Sequence, residues 1–310
     1  MEGIMMRYGP SYALAVRCPD GRIRTRRLPW FSLTRRPWLK KPFVRGFPVL
    51  LETLVNGIKA LNRSVEVAAE GQGEELSNWE LLLSLGLAVL MAVGLFVVAP
   101  HLLSLLMLWL GWGGDVEGLS FHIWDGFFKA SIFMAYIWLI SWVPDIRRVF
   151  QYHGAEHKTI HAYESGEEVS AASAASMSRL HPRCGTTFLL FVICISIVLH
   201  AILVPLLLLA WTPDNAPAKH ALTVFFKLAL IIPISALAYE LIRYAARMSD
   251  GPLSHVLRAP GLTLQRLTTS EPDNAQLEVA VVALHTALGE DAPERVQPVS
   301  HELWHDRWTD

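Results

Sequence analysis

The 310 residues carry 27 Lys and Arg against 28 Asp and Glu, and the net charge of −1 leaves no basic field for nucleic acid. Hydrophobic residues make up 52% of the chain and charged ones only 18%, with 11 Trp and a positive mean hydropathy, which excludes an ordinary soluble enzyme. Three cysteines (Cys18, Cys184 and Cys194), an odd number without paired spacing, exclude a disulfide framework.

In chain order, residues 1–78 read as a cytoplasmic N-terminal region. "SYALAVRCPDGRIRTRRLP" sets β-prone runs on both sides of a Pro-Asp-Gly turn and predicts a hairpin. "RGFPVLLETLVNGIKALNRS" then spaces Val49, Leu54, Ile58 and Leu61 at helical intervals. With Arg45, Lys59 and Arg63 beside it, this helix suits the membrane interface, and it equally suits packing on the cytoplasmic region. "EVAAEGQGEELSN" reads as a polar linker into the first span.

Four apolar segments follow: Trp79 to Ala99, Ile123 to Val143, Thr187 to Trp211 and Ala221 to Ala245. Each approaches the ~20 residues that cross a bilayer. His101 to Trp112 is too short for a fifth span, and either extends the first helix or lies in the interface. No cleavable signal peptide is visible at the N-terminus. Residues 79–143 thus hold transmembrane helices 1 and 2, and residues 187–246 hold helices 3 and 4. The fold class expected is mainly α: a polytopic membrane protein with about four transmembrane helices, a small N-terminal β-hairpin and cytoplasmic helical segments.

Basic residues orient the spans. Thirteen Lys and Arg lie between Met1 and Asn78, none between Pro100 and His122, five between Pro144 and Thr186, and only Lys219 between Thr212 and His220. Both termini are then cytoplasmic, and the thiols stay reduced. In the C-terminal region, 247–290, "SDGPLSHVLRAPGL" reads as turn-rich. "EPDNAQLEVAVVALHTALGE" reads as an amphipathic helix capped by Asp273 or Asn274, with Leu277, Val281, Leu284 and Leu288 on one face. Residues 291–310 form a Pro-broken, poorly ordered tail in which His301 and His305 are solvated.

The chemistry lies in the cytoplasmic loop, 144–186. "HGAEH" fits the H-x-x-E-H pattern of the inverted zincins. On a helix His153 and His157 share one face and reach one ion, while Glu156, beside that face, suits a general base toward a water that the ion activates. His161 extends the stripe but lies about 12 Å along the axis from His153, so it reads as a supporting or solvated residue. In "SRLHPRCGTTF", His181 and Cys184 have ligand spacing across a turn, or else form an ordinary loop with one buried thiol. Glu240, near the cytoplasmic end of the fourth span, needs a partner. Arg243 would serve, and so would a metal. The ion expected is divalent, zinc first, with iron and manganese compatible with the same donors.

The blocks "EGIMMRYGP", "VRGFPVLLETL", "YHGAEHKTIHAYE", "RLHPRCGTTFLL" and "APGLTLQRLTTSEPDNAQLEVA" together resemble the YqhQ-like family (domain of unknown function 1385). Its members are bacterial membrane proteins, sometimes labelled predicted metal-dependent enzymes. The resemblance runs from about Glu2 to Leu288. It implies a multi-span membrane protein and favours a metal, and it supplies no reaction.

The expectation is a membrane-embedded, metal-dependent, hydrolytic enzyme working on a lipid-linked or peptide-like substrate at the cytoplasmic face. His153 and His157 would be ligands and Glu156 the base, with a further ligand from His181, Cys184 or Glu240. The rival is a scaffold for protein partners, rigidified by a structural metal or a His/Glu network.

Overall fold

The computed structural model describes residues 2–68, 78–249 and 251–296. The 69–77 linker and residues 297–310, with His301 and His305, lie outside the described residues.

The expected hairpin forms from β2 (Ser11–Arg17) and β3 (Ile23–Pro29), and β1 (Gly3–Tyr8) adds a third antiparallel strand on the other side of β2. Alternation along the strands serves two cores. Tyr12, Leu14 and Val16 pack with Trp30 and Ala60 on one face, while Ile4, Met6, Ala13 and Ala15 turn to the other.

The first face meets α1 (Gly46–Ala68) through a polar stripe, in which Glu52, Asn56 and Ser64 are buried. Glu52 accepts from Trp30 Nε1 at 3.3 Å, Ser32 Oγ at 3.0 Å and Thr34 N at 2.6 Å, and Asn56 brackets Phe31 through its backbone N–H and carbonyl. Those obligations turn α1 polar-side in, so Leu54 and Leu61 on its apolar stripe stay exposed.

The other face of the sheet meets α11 (Asn274–Leu288). The structure corrects its expected amphipathic character: α11 is buried on nearly all sides, from Gln276 and Leu277 to Leu288. The sheet covers one side, and α5 (Pro144–Ser165) and α6 (Ala171–Ala175) cover the other. Asp273 is its N-cap, accepting from Gln276 N. The "SDGPLSHVLRAPGL" stretch is likewise not turn-rich from Pro252 onward but helical, the start of α10 (Pro252–Thr268). Pro252 occupies the first turn, where a missing N–H costs nothing, and Pro260 is carried inside the helix. Beyond α11, Val296 pairs with Val169.

Among the described residues, four helices are long and apolar enough to cross a membrane. The first joins α2 (Asn78–Val93) to α3 (Ala99–Trp109) through a π-helical turn at Gly94–Val98, so the short apolar stretch from His101 extends the first span. Pro100, which cannot donate to the preceding turn, accounts for the irregularity. The second is α4 (Leu119–Ile140) and the third α7 (Thr186–Ala210). The fourth runs through α8 (Ala216–Ala229) and α9 (Ile231–Arg247). Leu87, Leu90, Leu209 and Trp109 on these helices are exposed, as lipid-facing side chains are. At Gly126 a Cβ would strike Ile197, so the glycine lets α4 approach α7 closely.

Candidate functional site

The helix α5 leaves the second span after only three residues, with Pro144 in its first turn, and ends at Gly166 in the left-handed region (φ 83°). That fixes the histidine stripe at one end of the span bundle. His153 and His157 meet edge to face, ring centroids 4.4 Å apart. Each ring is oriented by a backbone carbonyl: His153 Nδ1 donates to Thr268 O at 2.8 Å and His157 Nδ1 to Arg179 O at 2.6 Å. Both Nε2 atoms are thereby left to accept, the arrangement metal-binding histidines use. Cys184, buried in the loop before α7, places its Sγ 3.2 Å from His153 Nε2, with Thr186 Oγ1 at 3.0 Å from the same sulfur. One atom each of His153, His157 and Cys184 lies within 4.8 Å of the others. These three donors fit a divalent ion, and two imidazoles with a thiolate suit zinc better than manganese.

The remaining sequence candidates stand around this group with other engagements. His181 is buried, its ring 5.7 Å from His157, but its Nδ1 accepts from Arg183 N at 3.2 Å and its Nε2 donates to Glu164 at 3.4 Å. Burial, with the neighbouring His161 second, pushes it down to about 4 against the opposing pull of Glu164. His161 donates to Leu180 O at 2.9 Å and meets His181 edge to face. Glu156 is half-buried on the wall shared with His153, and its carboxylate has no hydrogen bond or ion pair among the described residues. Burial raises its proton affinity and the His153 imidazole opposes that. Glu240 is engaged elsewhere: Arg45, just before α1, clamps it with two contacts of 2.7 and 2.6 Å, and Phe43 N adds a third at 3.4 Å. The partner of this intramembrane acid is thus neither Arg243 nor the histidine group.

Several supporting residues carried no obvious chemical signature. Gln265 of α10, fully buried, grips both the N–H and the carbonyl of His181 at 2.8 Å. Thr268 supplies the carbonyl for His153. Gly154, inside the motif, faces the Ser270 carbonyl so closely that a Cβ would collide with it. All lie opposite or within "APGLTLQRLTTSEPDNAQLEVA", a block visible in sequence as a resemblance but not as chemistry. Glu2 joins the site's outer wall through Arg148 and the Tyr152 hydroxyl, the latter at 2.7 Å.

Two cavities meet here. A polar one of about 260 Å³ is lined by His153, Glu156, His157, Glu164 and His181. An apolar one of about 360 Å³ lies between α1, α7 and α9, walled by Val49, Leu50, Phe188, Tyr239 and Ile242, with Arg243 among them. Arg183, Cys184 and Gly185 line both.

With this geometry in view, comparison with known proteins gives two findings. Residues 41–290 match the family model described as "Protein of unknown function (DUF1385)". The chain is also similar to "Uncharacterized protein YqhQ" of Bacillus subtilis (strain 168), 32% identical over 314 residues, covering 98% of this chain and 95% of that one. No solved structure matches. The chain belongs to the DUF1385 family.

Proposed function

We propose that this DUF1385 member is a membrane-embedded, zinc-dependent hydrolase that acts on a lipid-linked substrate at the cytoplasmic face of the membrane. The observation carrying this reading is the shared wall: Cys184 and Arg183 border both the His/Glu cavity and the apolar one. His153 Nε2, His157 Nε2 and Cys184 Sγ would hold the ion, and three protein donors leave a position open, as catalytic zinc requires. The ion supplies Lewis acidity that makes water acidic near neutral pH. The protein does the rest. Glu156, unpaired, takes a proton from the attacking water and delivers it to the leaving group as the scissile bond breaks. The apolar walls receive the lipid chain, and Arg183 and Arg243 hold an anionic linkage or headgroup. The Lys/Arg asymmetry across the spans supports the cytoplasmic side.

The rival scaffold reading has one observation of its own: Cys184, His153 and Thr186 already form a hydrogen-bonded set that rigidifies the loop without an ion. Metal content and complementation separate the two. Under the enzymatic reading, purified full-length protein contains stoichiometric zinc, which His157→Ala and Cys184→Ser lose. Glu240→Gln keeps it, because Arg45 holds that carboxylate away from the group. Glu156→Gln also keeps zinc and membrane insertion yet fails to restore whatever phenotype deletion of the chromosomal copy causes. Full complementation by Glu156→Gln with zinc bound would leave the scaffold. Protein isolated without metal and unable to take up added zinc would sink the metal centre itself.

A further inference from the structure

A second group of ionisable side chains is buried inside the span bundle, at the end away from the histidine motif. The second span contributes His122, Asp125 and Lys129, the third His200, the first His101, and the fourth Lys227 and His220. All but His220 are buried, and Lys227 is 0% exposed. They form one continuous line of contacts. His220 Nδ1 lies 3.3 Å from His101 Nε2, and Lys227 Nζ donates to His101 Nδ1 at 3.3 Å. Lys227 meets Asp125 Oδ1 at 2.5 Å, Lys129 Nζ stands 3.6 Å from Asp125 Oδ2, and Lys129 donates to His200 Nδ1 at 2.9 Å. Beyond His200 the line stops, since its buried Nε2 has no hydrogen-bond partner among the described residues. His122, beside Asp125, is turned away to the Val116 carbonyl at 2.8 Å.

Placement gives the line a direction. His220 opens it near the start of the fourth span, where neighbouring Lys219 pairs with Asp115 and Glu117 of the loop between the first two spans, each at 2.8 Å. His200 closes it about 21 Å along α7 from Thr186 and ~15 Å from Ala210, near mid-bilayer. Charge gives it a purpose. One carboxylate faces two lysines, and the shorter contact assigns Asp125 to Lys227. Lys129 is then a surplus cation in a low-dielectric interior, where an unmatched charge is costly and intramembrane ionisable chains mark ion and proton paths.

We propose that Lys129 is a proton-binding site exchanging with the membrane face of Asp115 and Lys219 through the relay Asp125–Lys227–His101–His220. In release, the Lys129 ammonium gives its proton to Asp125. Asp125 passes one to Lys227 as Lys227 gives its own to His101 Nδ1. His101 gives its Nε2 proton to His220 Nδ1, and His220 releases one from Nε2 to water. Lys129 ends as an amine, one proton leaves, and Asp125 and Lys227 regain their starting charges. The two imidazoles reset by tautomer exchange. The ligand is a proton, no metal is involved, and the proposal stands apart from the hydrolase reading.

The test uses full-length protein in lipid nanodiscs, moved from about pH 9 to about pH 6 in weak buffer with a pH dye. Lys129→Met should bind one proton fewer per chain than wild type. His101→Leu should bind the same number but at least tenfold more slowly. Equal proton counts for Lys129→Met and wild type would make Lys129 a fixed ion-pair member and overturn the site. Unchanged kinetics in His101→Leu would overturn the path. Should either variant fail to fold, ¹⁵N-histidine spectra of wild type decide: His200 Nδ1 should switch from acceptor to donor as Lys129 loses its proton. A single unchanged His200 signal over the range would overturn the proposal.

Discussion

The two ionisable clusters of this protein are built on opposite plans. At the motif face, His153 and His157 are oriented by backbone carbonyls of Thr268 and Arg179, so neither ring depends on the other for its place. In the span bundle Lys129 and Lys227 both lean on Asp125, and removing that one carboxylate leaves two buried lysines without a counterion. The first plan leaves donor atoms free to converge on a ligand. The second uses side chains to answer side chains, and what remains mobile is a proton. Stability should therefore react very differently to changes in the two places.

The largest effect should come from Asp125→Leu, which strands two buried lysines. Breaking a buried pair from one side typically costs about 3–5 kcal/mol, so this variant should accumulate poorly or unfold early in mild detergent. Asp125→Leu combined with Lys227→Met leaves one stranded lysine, Lys129, in place of two and should recover part of that loss, because a buried pair exchanged for apolar side chains is close to neutral. Thermal unfolding of the three proteins measures it. A single mutant as stable as wild type would erase the contrast between the clusters.

Next in size is Gly154→Ala at the motif face. The new methyl meets the Ser270 carbonyl, which is backbone and pinned by the Ser270 N–H to Phe150 O bond of 2.9 Å. Overpacking of this kind costs about 1–3 kcal/mol, and the yield should come from separating α5 from the 268–272 segment. Because Thr268 orients His153, zinc retention should fall along with stability. If Gly154→Ala unfolds earlier yet retains zinc fully, the carbonyls are not what positions the rings.

How much of this could be read in the sequence follows the same division. The four spans, the β2–β3 hairpin and the α11 N-cap were legible because each is local: an apolar run, a Pro-Asp-Gly turn, an Asp before a helix. His153 and His157 were legible for the same reason, four residues apart on one helix. Which of His181, Cys184 and Glu240 comes up to the two histidines stayed open, since loop conformation and the α1–α9 approach decide that proximity. Cys184 faces His153, and Arg45, 195 residues away in sequence, takes Glu240. The membrane relay left no local trace. Each helix supplies one to three polar residues among many apolar ones, and only packing, such as α4 against α7 at Gly126, brings them together. The character of α11 was misjudged because periodicity reports one apolar face, while the sheet and α5 enclose the helix on opposite sides.

The smallest expected effect sharpens the comparison with a second buried acid. Glu52 is as enclosed as Asp125, but it is answered by neutral donors: Trp30 Nε1, Ser32 Oγ and Thr34 N. Burial alone would raise its proton affinity, and those donors outweigh it, holding the carboxyl below its ordinary 4.5. A carboxylate whose folded pKa is depressed adds stability above the unfolded value, and that contribution is lost as pH falls from 4.5 through the folded value. Glu52→Gln cannot titrate, so its stability should decline less steeply than wild type across that acid window. The difference should be on the order of 1 kcal/mol, because hydrogen bonds to a charged group are modest and the protonated acid still accepts some of them. Chemical unfolding of both proteins at a series of acidic pH values, in one detergent, gives the two slopes. Parallel slopes would mean that the donors around Glu52 do not distinguish its charged form, and that burial rather than the kind of partner sets how an acid in this fold responds to pH.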